Sequence, residues 1–101
     1  MVTCDFSILP VGSDSTGCKD FVSAAVQTVK DSGLNWQLTG MGTQIEAENL
    51  KELYEVIAKA QEAVFEVGAG RVYTVIKIDD RRDRENKTLK SKIKTVEKIL
   101  D

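Results

Sequence analysis

Leu38-Thr39-Gly40-Met41-Gly42-Thr43-Gln44-Ile45-Glu46 decides how this chain folds, because two alternating runs meet in it across a turn with almost no loop between them. Asn35 to Thr39 on one side and Thr43 to Glu46 on the other switch between apolar and polar at every residue, the period of a hairpin with one buried face. Gly40 and Gly42 permit positive φ at the bend. With Trp36, Leu38 and Ile45 turned to a core, Gln37, Thr39, Met41, Gln44 and Glu46 fall on the opposite face, which is rich in hydrogen-bonding groups.

Working outward, Val2, Cys4, Phe6 and Ile8 alternate with Thr3, Asp5 and Ser7, predicting a first strand closed by Pro10 and Gly12. Phe21, Val22, Ala25, Val26 and Val29 recur at helical spacing until Gly33 stops the helix. Beyond the hairpin, Asn49 followed by Glu52 is a capping-box-like start. Leu50, Leu53, Ile57, Ala60, Val64 and Val67 then form one apolar stripe, which ends at Gly68. Arg71 to Asp79 is β-branched and alternating, and predicts a fourth strand. The order β-α-β-β-α-β with right-handed crossovers gives an α+β ferredoxin-like sandwich: a four-stranded antiparallel sheet in the order 4-1-3-2 with two helices on one face. Leu89, Ile93, Val96 and Leu100 form a narrow stripe that predicts a further helix within residues 88–101, suited to oligomerisation.

Composition narrows the function. The 101 residues make one domain, residues 1–101, and their 42% hydrophobic and 30% charged content is that of a globular chain. A chain of this size buries only roughly two-thirds of its unfolded surface, so self-association would help it. A net charge of -2 gives no electrostatic case for nucleic acid. No apolar run can span a bilayer, and the N-terminus lacks the pattern of a signal peptide, so a cytoplasmic protein is expected. Cys4 and Cys18 are read as free thiols, Cys4 within the core. With no histidine and no cysteine cluster, neither a structural zinc site nor any cofactor is expected. No nucleophile has an evident base beside it, which argues for binding rather than catalysis.

Parity assigns Asp5, Ser7, Thr39, Met41, Gln44, Glu46, Tyr73 and Lys77 to the sheet face away from the helices. Such a mixture suits a small polar heteroaromatic molecule, with a carboxylate accepting from an amino group and hydroxyls orienting ring nitrogens. An ordinary solvated face or a polar dimer interface would show the same pattern. Gly12 to Lys19 resembles a phosphate loop but places Cys18 where the lysine should stand; its end at a helix N-terminus leaves anion binding open beside simple capping. The mixed-sign run Asp79 to Glu85 reads as a solvated loop.

Three separated motifs, Ser7-Ile8-Leu9-Pro10-Val11-Gly12, Leu38 to Ala47, and Lys77-Ile78-Asp79-Asp80-Arg81-Arg82-Asp83, make the chain similar to the thiamine-binding protein family of small ferredoxin-like proteins, formerly an uncharacterised family. The resemblance implies a homotetramer that binds thiamine or its hydroxymethylpyrimidine portion without acting on it. Gly40 stands where that family usually has proline, and Ala47 where it usually has glycine. Motif and parity together select Ser7, Thr39, Met41, Gln44, Glu46 and Lys77 as ligand-binding residues; chemistry alone adds Asp5 and the motif alone adds Thr43. Two other classes compete: an amino-acid-sensing module of the ACT type, which shares this topology, and a purely structural homo-oligomer. An RNA-binding sheet would need an exposed aromatic pair that the inner strands lack.

Overall fold

The computed structural model describes residues 1–12, 19–83 and 88–100. Its elements are β1 (Val2–Pro10), α1 (Lys19–Asp31), β2 (Asn35–Leu38), β3 (Thr43–Ala47), α2 (Leu50–Glu66), β4 (Val72–Asp80) and α3 (Leu89–Leu100). The strands form one antiparallel sheet in the order β2-β3-β1-β4, the expected ferredoxin-like arrangement. Residues 13 to 18, most of the loop considered for anion binding, and with them Cys18, lie outside the described residues.

Alternation places the core. Val2, Cys4, Phe6 and Ile8 of β1 and Ile45 and Ala47 of β3 are buried beneath the helices, which contribute Phe21, Ala25 and Val29 from α1 and Leu53, Ile57, Ala60 and Val64 from α2. These are positions three and four apart on each helix, so one stripe per helix meets one face of the sheet. At the start of α2, Asn49 Oδ1 accepts the Glu52 backbone N–H at 2.9 Å, the expected cap. Gly33 and Gly68 take positive φ just past α1 and α2, where a side chain would be strained.

The hairpin turn differs from expectation. Neither Gly40 nor Gly42 has positive φ. The Thr39 side chain closes the bend instead: its hydroxyl donates to the Gly42 carbonyl at 2.8 Å and accepts the Gly42 and Met41 backbone N–H groups at 3.1 and 3.3 Å. The Thr39 N–H also reaches the Gly42 carbonyl. Gly42 is needed for a different reason, close approach. A Cβ on it would lie 2.5 Å from Asp5 Oδ1 and 2.9 Å from the Phe6 carbonyl oxygen. Of the expected core face, Ile45 is fully buried and Trp36 packs against the cluster, but Leu38 stays 56% exposed.

The other sheet face is not uniformly open, because α3 returns across one end of it. Thr3 and Glu46 are buried there although both point away from the core. Glu46 Oε1 accepts the backbone N–H of Leu89, the first residue of α3, while its Oε2 accepts from Asn35 Nδ2 at 2.9 Å. Lys92, one turn on, donates to Thr3 Oγ1 at 2.8 Å and pairs with Asp79. A carboxylate at the positive end of a helix dipole is a favourable arrangement. From Ile93 onward every residue of α3 through Leu100 is exposed, so the helix is held by its first turn.

Two stability experiments follow from these contacts. Gly42→Ala is expected to lower stability in urea unfolding by about 1–3 kcal/mol, since the new methyl must displace a backbone carbonyl and a carboxylate in a packed site. Gly40→Ala, with open space at its Cβ position, is expected to stay within about 0.5 kcal/mol. Glu46→Gln should release α3 without unfolding the sheet: the amide can accept only one of the two hydrogen bonds and carries no charge. Amide exchange at Leu89 to Lys92 is then expected to accelerate by roughly 5- to 30-fold, with β1 protection unchanged. Equal acceleration in β1 would show that Glu46 supports the whole domain instead.

Candidate functional site

The eight residues singled out from the sequence divide between two places. Ser7, Thr39, Met41 and Thr43 line a cleft where the hairpin turn, the second half of β1 and α1 meet. Asp5, Gln44 and Lys77 lie in a shallow trough under the first turn of α3. Glu46 stands at the end of that trough, occupied by Leu89 and Asn35.

Strand lengths create the cleft. β1 has nine residues and β3 five, and their pairing ends at Phe6↔Thr43. From Ser7 to Pro10, β1 therefore continues with β4 alone. The hairpin stops short, and the notch it leaves is walled by Val22, Ala25 and Val26 of α1 and by Phe6, Ile8 and Leu9 of β1. Leu38 and the turn residues Thr39 to Gly42 form the remaining side. The cleft measures about 170 Å³ and is mainly apolar. Met41 projects from the turn at its mouth, 91% exposed. Its unbranched thioether could fold over a bound ring.

The polar groups of the cleft are few and unequal. Thr39 is committed to the turn: its one hydroxyl hydrogen goes to the Gly42 carbonyl and its oxygen already accepts twice. Thr43 is 5% exposed, on the helix-facing side of β3. Ser7 lies just past the last residue that β1 pairs with β3. Among the described residues no carboxylate lines the cleft, but the Asp5 carboxylate packs against Gly42 on its far side.

The trough has a different chemistry. Cross-strand register sets Gln37, Gln44, Asp5 and Lys77 in one row across all four strands. Gln44 Nε2 approaches Asp5 Oδ2 at 3.5 Å, a weak contact. Asn35, Glu46, Thr3 and Asp79 form the neighbouring row. Asp79 is paired with Lys92, and Asp80 with Arg82, whose guanidinium holds the Asp80 carboxyl below the usual carboxylate range. Both carboxylates are thus in ion pairs. Among the described residues no cluster of three potential metal ligands occurs. Cys4 is buried, and desolvation pushes its thiol up to about 11, so it remains protonated at neutral pH and is no nucleophile.

Sequence reasoning missed the apolar walls of the cleft. Val22, Ala25 and Val26 carry the same helical signal as core residues, and nothing in their spacing marks a groove. The usable signal was the unequal length of the first strand and the short hairpin.

The model of a family described as thiamine-binding protein matches residues 4–97. A UPF0045 protein of Methanothermobacter thermautotrophicus is 42% identical over 100 residues, covering 99% of this chain and all of the relative. The Bacillus subtilis UPF0045 protein YqgV is 38% identical over 104 residues, covering 99% of this chain and 98% of its own. Among solved structures, a hypothetical protein of Methanocaldococcus jannaschii superposes with a TM-score of 0.83 at 30% identity, covering 95% of each chain. A Thermotoga maritima protein provisionally assigned to thiamine biosynthesis or salvage superposes at 0.80, covering 94% of this chain and 97% of its own. Its 16% identity shows the shared fold alone. A family model matching nearly the whole chain, and relatives of this identity along their full length, show that the chain belongs to the thiamine-binding protein family.

Proposed function

We propose that this protein binds thiamine or its hydroxymethylpyrimidine portion without reacting it, as a cytoplasmic homotetramer, and that the pyrimidine enters the cleft between the hairpin turn and α1. The observation that carries the reading is convergence. Ser7, Thr39, Met41 and Thr43 come from two motifs separated by a whole helix, and they meet around one apolar cleft. At about 170 Å³ the cleft is smaller than the roughly 300–1,000 Å³ of sites for drug-sized ligands. It suits one substituted ring, so the second ring of thiamine would remain outside, beside Met41. Ser7 and Thr43 are the hydroxyls placed to contact the ligand, and Thr39 holds the turn that shapes the wall.

Self-association is supported by what the chain leaves uncovered. Ile93, Val96 and Leu100 on α3 are 43%, 54% and 79% exposed, and Leu9, Tyr73 and Val75 add an apolar patch on the sheet face. β4 lies at a sheet edge along nine residues. Long edges and apolar stripes of this kind are normally covered. No helix among the described residues is long and apolar enough to cross a membrane.

A second reading, amino-acid sensing, is favoured by the trough under α3, where Asp5 and Asp79 lie among Lys77 and Lys92. Alternating carboxylates and ammonium groups would suit a zwitterion.

Calorimetry against thiamine, hydroxymethylpyrimidine and a panel of amino acids separates these readings. Both pyrimidine compounds are expected to bind, and Ser7→Ala and Thr43→Val each to weaken them by about 0.5–1.5 kcal/mol. Weakening by roughly 1.5–3 kcal/mol in Asp5→Asn, with Ser7→Ala neutral, would move the ligand to the open sheet face. Binding of an amino acid alone would establish the second reading, and silence across the panel a structural role.

Assembly is tested separately by light scattering. A tetramer is expected for the intact chain, and a smaller species with an intact sheet after deletion of residues 88 to 101. A clean monomer at micromolar concentration would remove the oligomeric part of the proposal.

A further inference from the structure

Resting on the binding function proposed above, we infer that the main chain of Ile8, rather than any side chain, reads the edge of the bound ring, and that the ligand is selected as a 4-aminopyrimidine. The register of β1 supports this. Val11 donates its N–H to the Arg71 carbonyl at 2.9 Å, which fixes the odd-numbered residues of β1 as those that exchange hydrogen bonds with β4. The even-numbered residues face the other way, toward β3, and pair with it at Val2, Cys4 and Phe6. Ile8 is the next in that series. It lies beyond the last pair of β1 with β3, and the hairpin that would have met it has turned back on itself through Thr39. The N–H and C=O of Ile8 are thus directed into the notch that forms the cleft, and Ile8 lines it.

The consequence is chemical. One extended residue presents a donor and an acceptor side by side along its edge. A 4-aminopyrimidine presents the complement: a ring nitrogen that accepts and an adjacent amino group that donates. Placed in the plane of the sheet, the ring takes the position of the missing β3 residue. Its faces then meet apolar walls, Val22 and Val26 of α1 on one side and Met41 at the mouth. This is strand addition reduced to a single ring, with affinity from main-chain hydrogen bonds and shape from the pocket. Among the described residues the side chains offer no equal alternative: none lining the cleft is a carboxylate or carboxamide, Thr39 is spent within the turn, and Ser7 and Thr43 each bring a single hydroxyl rather than a donor and an acceptor side by side. Main-chain groups on a paired strand are also rigid, so little freedom is lost on binding.

The test compares ligand analogues on the intact protein and follows the Ile8 amide by NMR with 15N-labelled isoleucine. Hydroxymethylpyrimidine should shift the Ile8 amide proton downfield and slow its exchange by roughly tenfold or more. Ile57 and Ile78, away from the cleft, should stay in place. The 4-oxo analogue, in which the donor and acceptor positions are exchanged, should bind roughly ten- to a hundredfold more weakly, because it can match the amide edge only by turning over, which makes its methyl and hydroxymethyl groups change places in the cleft. Val26→Phe, which fills the cleft without touching the main chain, should abolish binding while the amide spectrum remains that of a folded protein. If thiamine and hydroxymethylpyrimidine bind but the Ile8 amide is unmoved and the 4-oxo analogue binds equally well, the main-chain reading is overturned and the binding function stands. If neither compound binds, both fall together.

Discussion

The unequal pairing of β1 organises this molecule. Its nine residues are paired in register with β4 throughout but with β3 only as far as Phe6. Because alternate residues of a strand point to opposite faces, the same strand supplies Val2, Cys4, Phe6 and Ile8 to the core and Thr3, Asp5 and Ser7 to the other face. Where both neighbours are present, the sheet is four strands wide and α3 crosses it. Past Phe6 one neighbour is missing, and the cleft takes its place. The cleft and the trough therefore lie at the two ends of one strand, and their separation follows from the stopping point of β3.

That stopping point is held by local chemistry. Thr39 ties the turn through three contacts of one hydroxyl, so the hairpin cannot extend along β1 without breaking them. Gly42 lets the turn lie directly on the Asp5 carboxylate and the Phe6 carbonyl, where any side chain would collide. Neither interaction is large. Each contributes on the order of 1 kcal/mol, but together they choose where a ladder ends, a decision that moves every later residue.

Much of this was legible in the residues before any coordinates. Strand parity, the Asn49 cap and the glycine stops after α1 and α2 each carry a strong local signal, and the topology followed from their order. The two glycines of the hairpin were read as conformational, because glycine in a turn usually supplies positive φ; a threonine hydroxyl closing the turn leaves no periodic trace. The return of α3 was equally hidden. Its attachment consists of Glu46 to a backbone N–H and Lys92 to Thr3 and Asp79, polar contacts between residues far apart in sequence. An apolar stripe announced the helix, yet that stripe is the part left exposed. Glu46 consequently looked like a ligand carboxylate, when in the folded chain both its oxygens are already engaged.

This division of labour bears on what a small apolar cleft can discriminate. Hydrophobic walls alone separate related ligands poorly, since one methylene is worth only about 1–3 kcal/mol and an added hydroxyl is rejected no better. A hydrogen-bonding edge that must be matched discriminates far more strongly, because a wrong partner leaves buried polar groups unpaired. In this fold the flexible and charged side chains, Lys77, Lys92, Asp79 and Glu46, gather at the α3 end, while the cleft keeps hydroxyls and main-chain amides. Selectivity at the cleft is then set by backbone register. It would survive changes in the apolar residues that line the walls, provided that the hairpin still ended at Gly42 and β1 still ran on to Pro10.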